Sequence, residues 1–478
     1  MNMKTFSHRA ILTLLASLAA TGGPITFLPG NLVVSVSGNG VPSAQSGPYG
    51  DNQASPLTLF QYHPSGTSSV SLLNTLTLPQ TASGGNFAVS AEYGSSSEGS
   101  IHVSGNGQYL TVMGYGVSAS DFNSNPGAYG GVAGNKALAQ SSSIQSANYT
   151  AVPRVVGVID MNGNVNSTTA VYGVFDQNNP RSVYSADGTH FYISGQGNSP
   201  DATGGVFLTA LGSNSATPIT GLDTNSKTSS QDTRDVQIFD NTLYVSVDSK
   251  QGSGSNRDFI GTLGTPPATG IFNNQNGPAR LPGFGNSGGT GKVTLTAGQT
   301  NGINQAGKEI NLSPENFFFA DANTLYVADS GAPKNDSVTN DGAIGSTLGD
   351  GGLQKWSLVA GNWVLDYTLS DGLNLVANNG SFGTTGLLGL TGVVINGQVY
   401  LYATNFTIGD LDPTFLFGIT DVLSATTKPG GETFTQLAAA PTDSNFKGVA
   451  LLPTPEPASI ALAIAGLVVL AVRGRMRT

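Results

Sequence analysis

The 478-residue chain has no cysteine and only four histidines, two tryptophans and five methionines. The lack of cysteine excludes disulfides, thiolate-held zinc and thiol nucleophiles. It is no argument against export, because a chain of this length can bury a core that holds without covalent staples. Beyond His8, only His63, His102 and His190 remain, never as a His-x-His pair, so no histidine-built metal centre or Ser-His-Asp triad is expected. Charge is scarce as well. Asp, Glu, Lys and Arg make up 10% of the chain, against about 25% for an ordinary soluble domain. The formal net charge is −10, and Lys4, Arg9, Arg473, Arg475 and Arg477 place part of the basic complement in the terminal segments. An acidic body of this kind repels phosphate backbones, which argues against a nucleic-acid partner.

The chain is instead rich in glycine, with 65 residues, and in Asn, Ser and Thr, while 21 Phe and 15 Tyr suffice to fill a β core. One motif recurs: a short apolar strand, a tight Asn/Asp/Gly turn and an aromatic-aliphatic strand. Its copies are residues 98–116 (EGSIHVSGNGQYLTVMGYG), 181–197 (RSVYSADGTHFYISGQG), 234–248, 315–331 and 391–405 (TGVVINGQVYLYATN). Turns such as Asn106-Gly107, Asp187-Gly188 and Asn396-Gly397 are strong hairpin signals, because these residues tolerate positive φ. A further copy is split between the chain ends: residues 446–453 (FKGVALLP) read as its first strand and residues 30–38 (GNLVVSVSG) as its second. A second type of strand pair lies between copies. Two hairpins per unit give a four-stranded meander, and meanders around an axis give a β-propeller. The expected fold is therefore all-β: a propeller of six four-stranded blades over residues 31–453, closed by pairing of the N- and C-terminal strands. Seven blades is the alternative if residues 264–312 hide a degenerate one. The excess length sits in Gly/Asn/Ser loops at 118–150, 270–312 and 332–350.

The ends carry different signals. Lys4 and Arg9 precede an apolar run from Ala10 to Ala20, so residues 1–30 read as a signal peptide. Residues 454–478 contain Pro455-Glu456-Pro457, then an uncharged, mostly apolar stretch at 458–472, then Arg473, Arg475 and Arg477. The stretch reads as a C-terminal transmembrane helix, with the arginines on the cytoplasmic side and the body outside. Together these three parts resemble the PEP-CTERM sorting signal of bacteria. That resemblance implies recognition by a membrane enzyme of the exosortase type, cutting near Pro455-Glu456-Pro457. Residues 352–359 (GLQKWSLV), 318–331 (FFADANTLYVADSG) and 446–453 are similar to a group of PEP-CTERM-bearing proteins that read as propellers. The likeness implies fold and location, and it supplies no chemistry.

Catalytic motifs are weak. Gly285-Asn-Ser287-Gly-Gly fits the nucleophile-elbow pattern, and residues 283–288 fit G-x-G-x-x-G, but both lie in one Gly-rich loop without the strand and helix such motifs need. Asp160-x-Asn162-x-Asn164 begins like a calcium loop, yet Val165 stands where glycine is required, so it reads as a β-turn and no cofactor is expected. Six Asn-x-Ser/Thr sequons follow from composition. One constellation remains. Several repeat copies carry a charge near the start of the first strand: Glu98, Arg181, Arg234 with Asp235, Glu315 and Lys447. First strands line the channel of a propeller, so these groups are expected at one channel mouth, either as a polar ligand site or as ion pairs between neighbouring blades. The favoured function is a non-enzymatic, exported cell-surface or matrix protein, with exopolysaccharide as partner. The alternatives are an enzyme acting on an extracellular sugar or lactone through the channel, and a soluble-ligand binding module.

Overall fold

The computed structural model describes residues 25–39, 49–95, 98–131, 136–198, 203–219, 232–249, 257–266, 278–284, 292–294, 309–331, 351–376 and 382–454. The repeat hairpins form where the turn residues direct them. Asn396 and Gly397 have φ of 52° and 77°, and Asp240 and Asn241 have φ of 44° and 56°. Positive φ at both central residues is the type I′ combination, whose twist matches that of the flanking strands. The turn at Asp160 is held by its own side chain, which accepts from the backbone N–H groups of Asn162 and Asn164 at 2.9 Å each.

Four separate antiparallel sheets have four strands each. Their innermost strands are Pro180–Tyr184, Thr233–Phe239, Pro314–Asp321 and Thr384–Ile395. The remaining principal strands belong to one nine-stranded sheet. This sheet contains the expected terminal pairing: Leu32–Gly38 runs antiparallel to Ser444–Leu451, with Val34 opposite Val449 and Val36 opposite Phe446. The sheets stand around an axis as a propeller. Their innermost strands touch in succession, and Ser444–Leu451 meets Ile101–Val103 to close the ring.

The expectation of six separate four-stranded blades is therefore corrected. Strand Ala54–Ser65 is twelve residues long and outlasts its hairpin partner. Its first residues pair with the short strand Ser90–Glu92, and Ser90 in turn pairs with Tyr115. This bridge fuses two meanders into the nine-stranded sheet. Gly114 permits it, because a Cβ there would lie 2.7 Å from Val89 Cγ1 and 2.8 Å from the Ser90 carbonyl oxygen. The seven-blade alternative fails too, since the described part of 264–312 holds only a two-residue strand at Ala279–Arg280 and the pair Lys292–Thr294 with Glu309–Asn311. The expected transmembrane helix also finds no support. No helix among the described residues is long and apolar enough to cross a membrane, and residues 458–472 lie outside them. The loop at 118–150 has structure of its own, including the helix Ala119–Ser124 and the 3-10 turns Pro126–Tyr129 and Leu138–Gln140.

Apolar side chains fill the spaces between sheets. Trp356 is fully buried and stacks on Phe284 with ring centroids 4.1 Å apart. At the terminal closure Phe446 is fully buried and meets Phe60 and Tyr62 edge-on, at 6.4 and 6.3 Å. Phe446→Ala is expected to cost about 3–5 kcal/mol, the usual range for removing a buried aromatic. Denaturant unfolding followed by tyrosine fluorescence checks this, and a loss below about 1 kcal/mol would mean that the terminal strands do not clasp the ring.

Candidate functional site

All six charged residues singled out in the repeats line one cavity at the axis: Glu98, Arg181, Arg234, Asp235, Glu315 and Lys447. Each comes from the innermost strand of its sheet or from the residues just before it, so the repeat geometry alone brings them together. The copy at 391–405 brings no charge, and its strand contributes Leu388 and Gly389 instead. The cavity volume is about 20 Å³, room for roughly one water molecule.

Several of these charges find partners across sheet boundaries, and others within their own sheet. Arg181 pairs with Asp232, which precedes the next innermost strand, and it donates to Gln196 Oε1 at 3.0 Å. Arg234 donates to Asp248 at 2.9 Å and pairs with Glu315 of the following sheet at 3.1 Å. Asp235 Oδ1 accepts from Ser182 at 2.8 Å and Ser100 at 3.0 Å, and lies 2.6 Å from His102 Nε2. Its Oδ2 accepts from Gln237 at 2.5 Å, and Gln237 also donates to the Phe317 carbonyl at 2.7 Å. Glu98 accepts from the backbone N–H of Glu92 and from Asn179 Nδ2. Burial raises the Glu98 carboxyl above its ordinary pKa, opposed by the charge of Lys447. Glu92 is held well above its ordinary value by burial first and by Glu98 second. Burial, and then the neighbouring Arg234, pull Arg181 well down. Lys447 reaches this position because Gly99 has no side chain: a Cβ there would sit 2.8 Å from Lys447 Cβ.

A second layer was missed in the sequence. Hydroxyls on the second strands donate to backbone carbonyls of the next innermost strand: Ser35 to Gly99, Ser194 to Arg234 at 2.7 Å, Ser246 to Glu315 at 2.8 Å and Thr404 to Lys447. Thr111 does the same to Val183 at 3.0 Å. A Ser or Thr recurring in the aromatic-aliphatic strand was the signal, visible once the copies are aligned on their turns.

A buried polar cluster away from the axis was also missed. Lys355 and Asp421, both fully buried, pair at 3.0 Å across two sheets. Tyr326 and Tyr367 donate to Asp421 at 2.5 and 2.7 Å, and Lys355 also donates to the Val422 carbonyl at 2.6 Å. Beside them the Glu432 carboxyl is pushed up to about 8 by burial and by Asp421. Among the described residues no group of three or more His, Asp or Glu side chains is placed to hold a metal ion. Pro455, Glu456, Pro457, Arg473, Arg475 and Arg477 lie outside the described residues, as does the Ser287 motif.

No protein-family model and no curated protein matches the chain. Among solved structures it is similar to a Bacteroides fragilis protein named for 6-phosphogluconolactonase, with 11% identity over 86% of this chain and 82% of that one and a TM-score of 0.34. It is also similar to Drosophila Semaphorin 2a, with 9% identity over 81% and 66% and a TM-score of 0.34. The propeller domain of the Trilobed protease from Pyrococcus furiosus gives 8% identity over 80% and 98%, with a TM-score of 0.25. These likenesses are too distant to carry an argument about activity.

Glu92, Glu98 and Glu432 all hold their protons more tightly when folded than the ordinary glutamate value of about 4.3 allows in the unfolded chain. The folded state therefore binds more protons over this window, and stability falls as pH rises from about 4.3 towards 8. Thermal melts at stepped pH should show a melting temperature that declines from pH about 5 to 8, with Glu432→Gln flattening the decline. A melting temperature that climbs over this range would contradict these protonation states.

Proposed function

We propose that the chain is an exported, non-enzymatic surface protein whose propeller serves as a scaffold in the cell envelope or an exopolysaccharide matrix. The observation that carries this reading is the state of the axis. Its charged groups are engaged by neighbouring sheets, and the space they leave is about 20 Å³. Small-molecule sites usually measure about 300–1,000 Å³, so a sugar or lactone substrate has no room where a propeller enzyme would be expected to hold it. Export and sorting rest on the sequence of the ends: a signal peptide over residues 1–30, and processing by an exosortase-type enzyme near Pro455-Glu456-Pro457. The acidic body and the lack of a histidine or cysteine site support a role without nucleic acid or cofactor.

Mass spectrometry of the protein recovered from the producing cells tests this. The expected mature chain lacks the segment up to about residue 30 and ends near Pro455–Pro457. Peptides that join residues 447–457 to Arg473 in the surface fraction, or recovery of the uncleaved N-terminus in the cytosol, would overturn it.

A further inference from the structure

A second cavity, which shares no lining residue with the axial one, lies beside the helix Ala119–Ser124 and has a volume of about 370 Å³. This falls in the range of small-molecule sites. Its apolar surface comes from Phe87, Ala88, Val117, Tyr129 and Val152, and its polar surface from Gln80, Thr81, Ser118, Ser120, Asp121 and Thr150. The walls are tied down. Gln80 donates to the Val89 carbonyl at 2.8 Å, and Ser90 donates to the Val117 carbonyl at 2.7 Å. The backbone of Thr150 is bonded to Ala128, and that of Ser142 to Tyr129, each at 2.9 Å. Tyr129 is braced by Phe122 with ring centroids 5.4 Å apart. A cleft with fixed walls loses little ordering entropy on binding.

We propose that this cleft binds a short stretch of uncharged polysaccharide. A sugar ring has apolar C–H faces and a rim of hydroxyls. The half-buried Tyr129 and Phe87 offer aromatic surface to such faces. Hydroxyls of Thr81, Ser120 and Thr150 and the Asp121 carboxylate supply both donors and acceptors to the rim. Asp121 is the one charged group in the lining, and the whole chain is acidic, so phosphate-bearing or uronic-acid chains are repelled. A lipid would need continuous apolar surface, which the polar groups interrupt. The inference rests on the reading of the chain as a matrix component and gives that reading a contact point.

Isothermal titration of the folded chain with cellobiose and maltose tests it, with a hyaluronan disaccharide as the charged comparison. Ser120 and Thr150 are exposed, so Ser120→Trp and Thr150→Trp each fill the cleft without entering the core, and a melting curve confirms that at least one of them folds. Saturable binding of a neutral disaccharide, weakened at least tenfold by the filling variant and by Tyr129→Ala, supports the proposal. It is overturned if neither neutral disaccharide binds, if binding ignores the variants, or if the hyaluronan disaccharide binds more tightly. Titration of the purified chain is independent of where the cell sends it, so failure here leaves export and processing to be judged by the mature termini alone.

Discussion

A charge buried at the axis of a propeller must be met by its neighbour. Removing a carboxylate or guanidinium from water costs several kcal/mol, and only a close, hydrogen-bonded partner offsets it. Here that partner comes from the adjacent sheet or the segment leading into it. Arg181 meets Asp232, Arg234 meets Glu315, and Asp235 meets Ser182 and His102. A chain with 10% charged residues places six of them around a space for about one water. The hydroxyl bonds from Ser194 and Ser246 to the next strand repeat the same logic for the backbone. The Lys355–Asp421 cluster repeats it between the sheets that begin at Pro314 and Thr384. These pairings tie consecutive sheets to one another.

The same constraint divides the molecule by role. The axis, where propellers have their deepest concavity, is filled with ion pairs. Described residues of the 118–150 loop, together with Gln80 to Ala88, line a separate cavity of about 370 Å³.

Much of this was legible in the sequence because it is local or repeated. Asn396-Gly397 specifies its hairpin through two residues that accept positive φ. The charges at Glu98, Arg181, Arg234 and Glu315 lie near the start of the first strand in their copies, with a slip of a residue or two, so a closed arrangement of the copies gathers them. Phe446 and Val36 could be matched because each half of a familiar motif was missing its other half. The fusion of two meanders was not legible. It depends on a three-residue strand, Ser90–Glu92, too short to show a period, and on the space left by Gly114. The Lys355–Asp421 pair was not legible either, because its members lie in different sheets and neither stands at a repeat position already marked by charge. Asp232 sits just outside its repeat copy and was passed over for the same reason.

The central claim is that the axial charges act as a clasp between sheets. A double-mutant cycle on Arg234 and Glu315 measures this directly, using Arg234→Met, Glu315→Gln and the double variant in denaturant unfolding. Groups that share a buried contact are expected to show a coupling energy of about 1–3 kcal/mol, with the double variant losing less than the two single losses together. Losses that add to within about 0.5 kcal/mol would mean the two side chains do not depend on each other, and the clasp would have to be abandoned.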